Sequence, residues 1–449
     1  MLILLASTVT TYLAGILLEK FSDSKKKKIF TLVGILVLNL AILFVFKYFN
    51  FAVYLATKVF GRLGITITYA GHDLLLPVGI SFYIFQAVGY AIDVYRGTVK
   101  AEKNFFYYAL FVSFFPQLVA GPIERSSNLL PQIRNIANLE LWDAERLRKG
   151  AILMLYGYFM KLMIADRAAV FVNVIFNVDT YSTYRGFYVA IAAVLFAIQI
   201  YCDFAGYTYI AIGTAKICGM DLMNNFKAPY MAEGIKDFWS RWHMSLTGWF
   251  KDYLYFPLGG SKKGKLRKCF NIFIVFLISG LWHGAALNYI AWGVYHGVLR
   301  IIEDLSAGFN QKVLVKLKIS RKNPVLRFIM KICTFFTVTI GWIFFRAKSI
   351  DMALILIRNM FSQWNPEIFT EGTLLYDLDI REWRVLLISI AVMVVVDAVT
   401  YIGVKFEDLF AKRKLPVRWI ILIVGIMSVL IFGRYGLQVD SSQFIYFQF

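Results

Sequence analysis

Charge is scarce in this chain of 449 residues, and it is lopsided: Asp, Glu, Lys and Arg fill 17% of positions, 48 of them basic and 28 acidic. A soluble domain carries about 25% charged residues, so the shortage excludes an ordinary water-facing surface. The four cysteines, Cys202, Cys218, Cys269 and Cys333, are scattered without a Cys-x-x-Cys spacing. That excludes a disulfide framework legible from sequence, and no metal centre is expected. There is no glycine-rich loop to cradle phosphates, no low-complexity tract and no repeat of fixed period. No cleavage-like small-residue site follows residues 1–18, so that stretch is expected to remain as a membrane anchor.

What is abundant is apolar: hydrophobic residues make up 59% and aromatics 17% of the chain. Stretches long enough to cross a bilayer, or nearly so, recur at residues 1–18, 29–50, 74–92, 105–120, 151–165, 187–202, 270–288, 289–302, 328–345, 385–404 and 417–433. Several fall short of the roughly 20 residues that a perpendicular helix needs, and these are expected to be broken, re-entrant or shielded by protein. The fold class is therefore all-α, a polytopic membrane protein of about 10–12 transmembrane or re-entrant helices, forming one domain over residues 1–449.

A formal charge of +20 would suggest nucleic acid in a soluble chain. Here the basic residues cluster at helix ends, in Lys25 to Lys28, Lys262 to Lys268, Arg321-Lys322 and Lys412 to Lys414, which reads as cytoplasmic anchoring and not as nucleic-acid binding. With those loops inside, the stretch 417–433 exits outward and residues 433–449 form an extracytoplasmic tail. Residues Glu124 to Lys149 read as an interfacial segment with an amphipathic helix, or equally as a solvated loop. Residues Phe361 to Arg384 form an acidic excursion through Glu367, Glu371, Asp377, Asp379 and Glu382.

Histidine is as rare as cysteine, four in the chain, and two of them sit in apolar, tryptophan-rich words: His243 in Phe238-Trp-Ser-Arg-Trp-His-Met-Ser245 and His283 in Gly280-Leu-Trp-His-Gly-Ala285. His283 follows the basic loop by about 15 residues, a helical rise of roughly 22 Å into a hydrocarbon layer of roughly 30 Å. An ionisable group that deep is a functional candidate. Written as one helix, Asp237 to Asp252 places Trp239, Trp242, His243 and Phe250 on one face and Arg241, Ser245 and Asp252 on another. His72 reads as interfacial and His296 as packed and hydrogen-bonded. Asp203, Lys161 and Asp397 are intramembrane charges expected to be paired.

These words resemble the membrane-bound O-acyltransferase family, in its bacterial branch that includes alginate O-acetyltransferase and the D-alanyl transfer protein of teichoic acid modification. Further matching words are Phe115-Pro-Gln-Leu-Val-Ala-Gly-Pro-Ile123, Asp203-Phe-Ala-Gly-Tyr207 and Asp93-Val-Tyr-Arg96. Ala205 and Tyr209 stand where the alginate type has Ser and Asp, and the family's usual first membrane segment would precede Met1. The resemblance implies a helical fold around a central tunnel, with residues 224–302 as its catalytic core. It places His283 at the principal catalytic position and His243 at the second histidine of the bacterial branch. Candidate tunnel-lining residues are Trp239, Arg241, Trp242, Asp252, Tyr253, Trp282 and Asn288.

Acyl transfer from a thioester to a hydroxyl needs a base for the hydroxyl proton, and histidine, with an ordinary pKa of about 6.5, serves near neutral pH. The implied activity is O-acylation, with acetyl the expected group, of an exported cell-surface polysaccharide across the bacterial plasma membrane. The donor would be acetyl-CoA or an acyl-carrier thioester, used as substrate with no cofactor held, and an acyl carrier protein and an extracytoplasmic SGNH-like acyltransferase or esterase are the implied partners. The terminal aromatic run Phe444 to Phe449 resembles the end of the small companion peptide of D-alanyl transfer systems, which makes Tyr446 a candidate acyl relay. The competing reading is a transporter or flippase of lipid-linked glycans, using intramembrane charges and broken helices as a path; a third is an inactive scaffold.

Overall fold

A computed structural model describes the chain apart from residues 67–68, 70, 72–73, 75, 365, 370–377 and 436–449. His72, Glu371, Asp377 and Tyr446 lie outside the described residues. Every regular element among the described residues is helical, as the backbone must be where no water is present to satisfy it. Among the described residues seven helices are long and apolar enough to cross a membrane, and the chain is a multi-pass membrane protein.

The N-terminal pair is α1 (Leu2–Lys20) and α2 (Lys25–Leu43), the second opening on four lysines. α2 runs through one π-helical turn, Phe44–Tyr48, directly into α3 (Phe49–Arg62). α4 (Ile80–Arg96) is buried nearly all round, from Ile80 through Ala91. Being enclosed by protein over that length, it needs no water-facing side. It starts at Gly79, whose φ of +74° only glycine adopts readily and where a Cβ would collide with the Leu118 carbonyl.

Two segments enter the bundle and come back out on the same side. The first is α5 (Phe105–Ser113) with the irregular stretch that follows it. Val119 packs at the far end beside Val78, whereas Arg125 is back at the starting end, paired with Asp252 at 2.9 Å. This is the re-entrant solution expected for the short apolar run 105–120. After α6 (Ser126–Arg134), the pair α7 (Ala144–Tyr158) and α8 (Asp166–Ile175), joined by the π turn Phe159–Ala165, packs along the long α9 (Phe187–Ile217). The stretch Glu124 to Lys149, expected as an interfacial segment or equally as a solvated loop, resolves into α6, a loop and the start of α7.

The second re-entrant segment carries α10 (Ile235–Trp239) and α11 (Met244–Phe250), followed by a π turn at Lys251–Tyr255. The single helix expected over Asp237 to Asp252 is not formed. The chain breaks at Ser240 to His243 because Met244 N–H turns away to the Asn225 carbonyl at 2.9 Å, leaving His243 in the left-handed region at φ +44°.

α12 (Lys265–His283) and α13 (Leu287–Lys316) form a tight hairpin. Close approach is possible because Gly280 faces the Tyr289 carbonyl and Gly293 the Phe276 carbonyl, positions where a Cβ would collide with backbone. Small residues at such contacts supply much of the association energy between helices in lipid. The fold closes with α14 (Pro324–Arg346), α15 (Ile350–Met360), α16 (Ile380–Tyr401), α17 (Phe406–Ala411) and the largely lipid-facing α18 (Leu415–Phe432).

The basic clusters converge on one end of the bundle. Lys28 stands over the Tyr95 ring, Lys268 pairs with Asp304, Arg327 with Glu233 and Tyr401, and Lys149 with Asp408 just before Lys412. This is the distribution that cytoplasmic lysine and arginine impose. Deeper in the bundle, Lys161 bridges Asp203 at 2.6 Å and Asp166 at 2.8 Å, and Asp397 accepts from Tyr201 Oη at 2.8 Å. The intramembrane charges are therefore paired or hydrogen-bonded, as their cost demands.

Candidate active site

His283 is the last residue of α12, which stops because Gly284 and Ala286 take extended conformations before α13 begins. Its ring is enclosed by Trp282, Trp292 and Phe345, with centroids 4.9, 5.0 and 5.3 Å away. His243, at the tip of the second re-entrant segment, brings its ring to 6.4 Å from that of His283. Phe204 and Trp282 pack on its other sides, at 4.7 and 5.9 Å. The two histidines are thus brought together in a nearly dry aromatic box, 1% and 5% exposed.

The orientation of His243 is set by Asn225, which is fully buried. His243 Nδ1 lies 3.3 Å from Asn225 Oδ1, and that oxygen also accepts from Ser245 Oγ at 2.6 Å. Ser245 Oγ in turn accepts the Ile123 N–H at 3.0 Å, leaving its own proton for Asn225, while Asn225 Nδ2 donates to Thr208 Oγ1 at 3.3 Å. An amide oxygen only accepts, so this network puts the His243 proton on Nδ1 and makes Nε2 the accepting nitrogen. The left-handed backbone at His243 costs on the order of 1 kcal/mol, a strain typical of positions where geometry serves function.

Two cavities approach this box from opposite ends. One, of about 190 Å³, opens between residues 76–79 and Val119 at the end away from the basic clusters, and His283, Trp282, Phe82 and Lys47 form its inner wall. The other, of about 620 Å³, opens at the basic end. Its wall carries Arg96, Arg125, Asp93, Asp252 and Tyr253. There Tyr253 donates to Asp93 at 2.8 Å, and Arg125 pairs with Asp252 while its guanidinium lies 4.5 Å from the Tyr253 ring centroid. Between the cavities, Phe85 and Trp249 stack at 4.0 Å, Trp249 Nε1 donating to the Phe85 carbonyl at 2.9 Å, and the crevice around them has no room for a water molecule. α4 runs the whole way, with Phe82 in the first cavity and Asp93 in the second. His283 is therefore open to one side and shut off from the other by an aromatic plug.

Of the sequence candidates for tunnel lining, Asp252 and Tyr253 face the large cavity and Trp282 the small one. The other four are in neither wall. Trp242 is packed among Phe226, Phe238 and Trp342; Trp239 lies against Trp292 and His296; Arg241 pairs with Asp237; and Asn288 Nδ2 donates to the Ala347 carbonyl, closing the turn after α14. With α10 and α11 separate, Trp239 and Trp242 do not share with His243 the face that a continuous helix would give them. His296 packs edge-on to Trp239 and Trp292, fully buried, and neither ring nitrogen has a hydrogen-bond partner among the described residues.

Sequence reasoning left Lys47, Phe82, Phe85 and Asn225 out of the site. Lys47 carries a signal, being a lone charge in the apolar run 29–50; the two phenylalanines carry none among 41.

Residues 100–345, which include both histidines, match the membrane-bound O-acyltransferase family. The chain is 38% identical over 325 residues to a probable alginate O-acetylase of Pseudomonas putida, covering 72% of this chain and 63% of that protein. It is 30% identical over 382 residues to a peptidoglycan O-acetyltransferase of Helicobacter pylori, covering 80% of this chain and 69% of that protein. It is 29% identical over 284 residues to a teichoic acid D-alanyltransferase of Bacillus subtilis, covering 62% and 70%. The chain spans 63%, 60% and 56% of the length of three alginate O-acetylases that it matches.

Proposed function

Because the chain belongs to the membrane-bound O-acyltransferase family, we propose that it moves an acyl group, acetyl in the first instance, from a cytoplasmic thioester to a hydroxyl for O-acylation of an exported cell-surface polysaccharide. The observation that carries this reading is the placement of His283 on the wall of a cavity, within 6.4 Å of a second imidazole whose tautomer is fixed. Relatives named for alginate, peptidoglycan and teichoic acid acylation agree with a cell-envelope acceptor.

In this mechanism the donor docks at the basic end, where Arg96 and Arg125 line the large cavity and suit the phosphates of acetyl-CoA or of a carrier protein's prosthetic arm. The thioester reaches the histidines past the Phe85–Trp249 plug. His283 takes the proton of the attacking hydroxyl as the new C–O bond forms, then returns it to the departing sulfur as the C–S bond breaks. Nε2 of His243, unprotonated in the tautomer that Asn225 imposes, is the second acceptor beside the reacting centre. A dry aromatic box keeps water from hydrolysing the thioester.

The acceptor enters from the opposite side through the smaller cavity. It is either the polysaccharide itself, a hydroxyl of an SGNH-like extracytoplasmic partner, or Tyr446 of the tail acting as a relay. Mass spectrometry of the cell envelope tests the whole reading: deleting the chain removes one defined ester-linked acyl group from a surface glycan. An unchanged ester profile together with lost glycan export contradicts it and favours transport.

A further inference from the structure

We propose that Lys47 is a catalytic electrophile of this site, its ammonium donating a hydrogen bond to the oxyanion that forms when the acyl carbonyl is attacked beside His283. This inference rests on the acyl-transfer reading above.

Three independent observations bear on it. A lysine in the middle of a membrane span is costly and persists where it is used, and Lys47 lies within the long apolar helical path Lys25–Arg62. Its own turn, Phe44–Tyr48, is π-helical within otherwise α-helical chain, a local distortion common at functional sites. Finally, Nζ reaches across the bundle to the end of α12, donating to the Trp282 carbonyl at 2.7 Å and the His283 carbonyl at 3.3 Å. These are terminal carbonyls of that helix, where a cation is favoured.

An ammonium has three protons. Two go to the carbonyls, which hold the nitrogen 5.8 Å from the Trp282 ring centroid, and Lys47 shares the wall of the 190 Å³ cavity with His283, where a reacting oxygen would take the third. A reacting carbonyl placed there has a base and a positive donor on the same wall. As the hydroxyl oxygen bonds to the acyl carbon and His283 takes its proton, the carbonyl electron pair moves to oxygen and is met by Nζ–H. Collapse returns the pair, the C–S bond breaks, and the thiolate leaves with the proton from His283. Lys47 itself gains and loses nothing.

Helix capping alone would make Lys47 structural, and the kinetics separate the two roles. The purified full chain, in detergent or nanodiscs, is assayed for release of free thiol from acetyl-CoA with envelope glycan from a strain lacking the chain supplied as the hydroxyl acceptor, and its folded fraction is measured by size exclusion and thermal scan. For Lys47→Gln, per folded molecule, kcat falls about 10²- to 10³-fold, as for loss of one oxyanion donor, while KM for acetyl-CoA stays within about threefold. Lys47→Arg restores part of kcat. A Lys47→Gln protein with wild-type kcat per folded molecule overturns the inference, as does a Lys47→Arg protein no better than Lys47→Gln. If the glutamine variant does not fold, Lys47→Arg decides alone: a kcat unchanged with Arg in place, against a bulkier and differently aimed donor, indicates a cap and nothing more. A wild-type chain that releases no thiol overturns the acyl-transfer reading itself, and this inference with it.

Discussion

Asn225 Oδ1 lies 3.3 Å from His243 Nδ1, and the same oxygen accepts from Ser245 Oγ at 2.6 Å. One buried amide thereby fixes the proton of an intramembrane histidine, at the tip of a segment that enters the bundle and leaves again on the same side. Asn225→Ala removes the acceptor. The expected outcome is a 10- to 100-fold loss of acyl transfer, about 1.4 to 2.7 kcal/mol, with Ser245→Ala losing several-fold less. Initial rates on purified protein check this, and an Asn225→Ala variant with full activity contradicts it.

The Phe85–Trp249 stack is the barrier between the two cavities. Trp249→Ala opens it, so water gains access to the bound thioester. Hydrolysis of acetyl-CoA without acyl transfer is expected to rise several-fold relative to productive transfer. Equal ratios in the variant and the wild type would place the barrier elsewhere.

The α12–α13 hairpin depends on backbone contact at Gly293, where any Cβ meets the Phe276 carbonyl, whereas Gly34 in α2 has open space. Gly293→Val is expected to cost at least 1 to 3 kcal/mol by overpacking and to lower the yield of folded protein sharply. Gly34→Ala should be neutral or slightly stabilising. Fluorescence-detected size exclusion distinguishes them.

Burial pushes the Glu124 carboxyl up from 4.5 to about 7, against the lowering influence of hydrogen bonds from Asn128 Nδ2 and the Met223 N–H. Because the folded value is raised, this group's contribution is fully present below about pH 4.5 and is lost as pH rises to about 7, a change of about 3 kcal/mol. The apparent thermal midpoint should therefore fall between pH 5 and pH 8, and Glu124→Gln should flatten that fall. A variant with the wild-type slope refutes the assignment.

Much of this arrangement is legible in the residues themselves. Apolar length and basic clusters give the membrane class and one common end for Lys28 and Lys268, because both follow from bilayer thickness and charge. His283 is legible because a rare ionisable group in an apolar helix has a cost that needs a reason. The break at His243 is not legible. Local periodicity favours one helix from Asp237, and only the tertiary hydrogen bond from Met244 to the distant Asn225 overrides it. For the same reason Trp239, Trp242 and Arg241 point into packed core or toward Asp237 and away from the cavities. Phe85 is invisible as a plug because its role comes from facing Trp249 across two segments.

The central assignment, His283 as the base that takes the hydroxyl proton, is tested most directly by the rate of acyl transfer from acetyl-CoA in purified His283→Ala protein of confirmed fold. The expected result is a loss of about 10²- to 10⁴-fold, with the folded protein still monodisperse and thermally stable. A His283→Ala protein that folds and transfers acyl groups at the wild-type rate would contradict it.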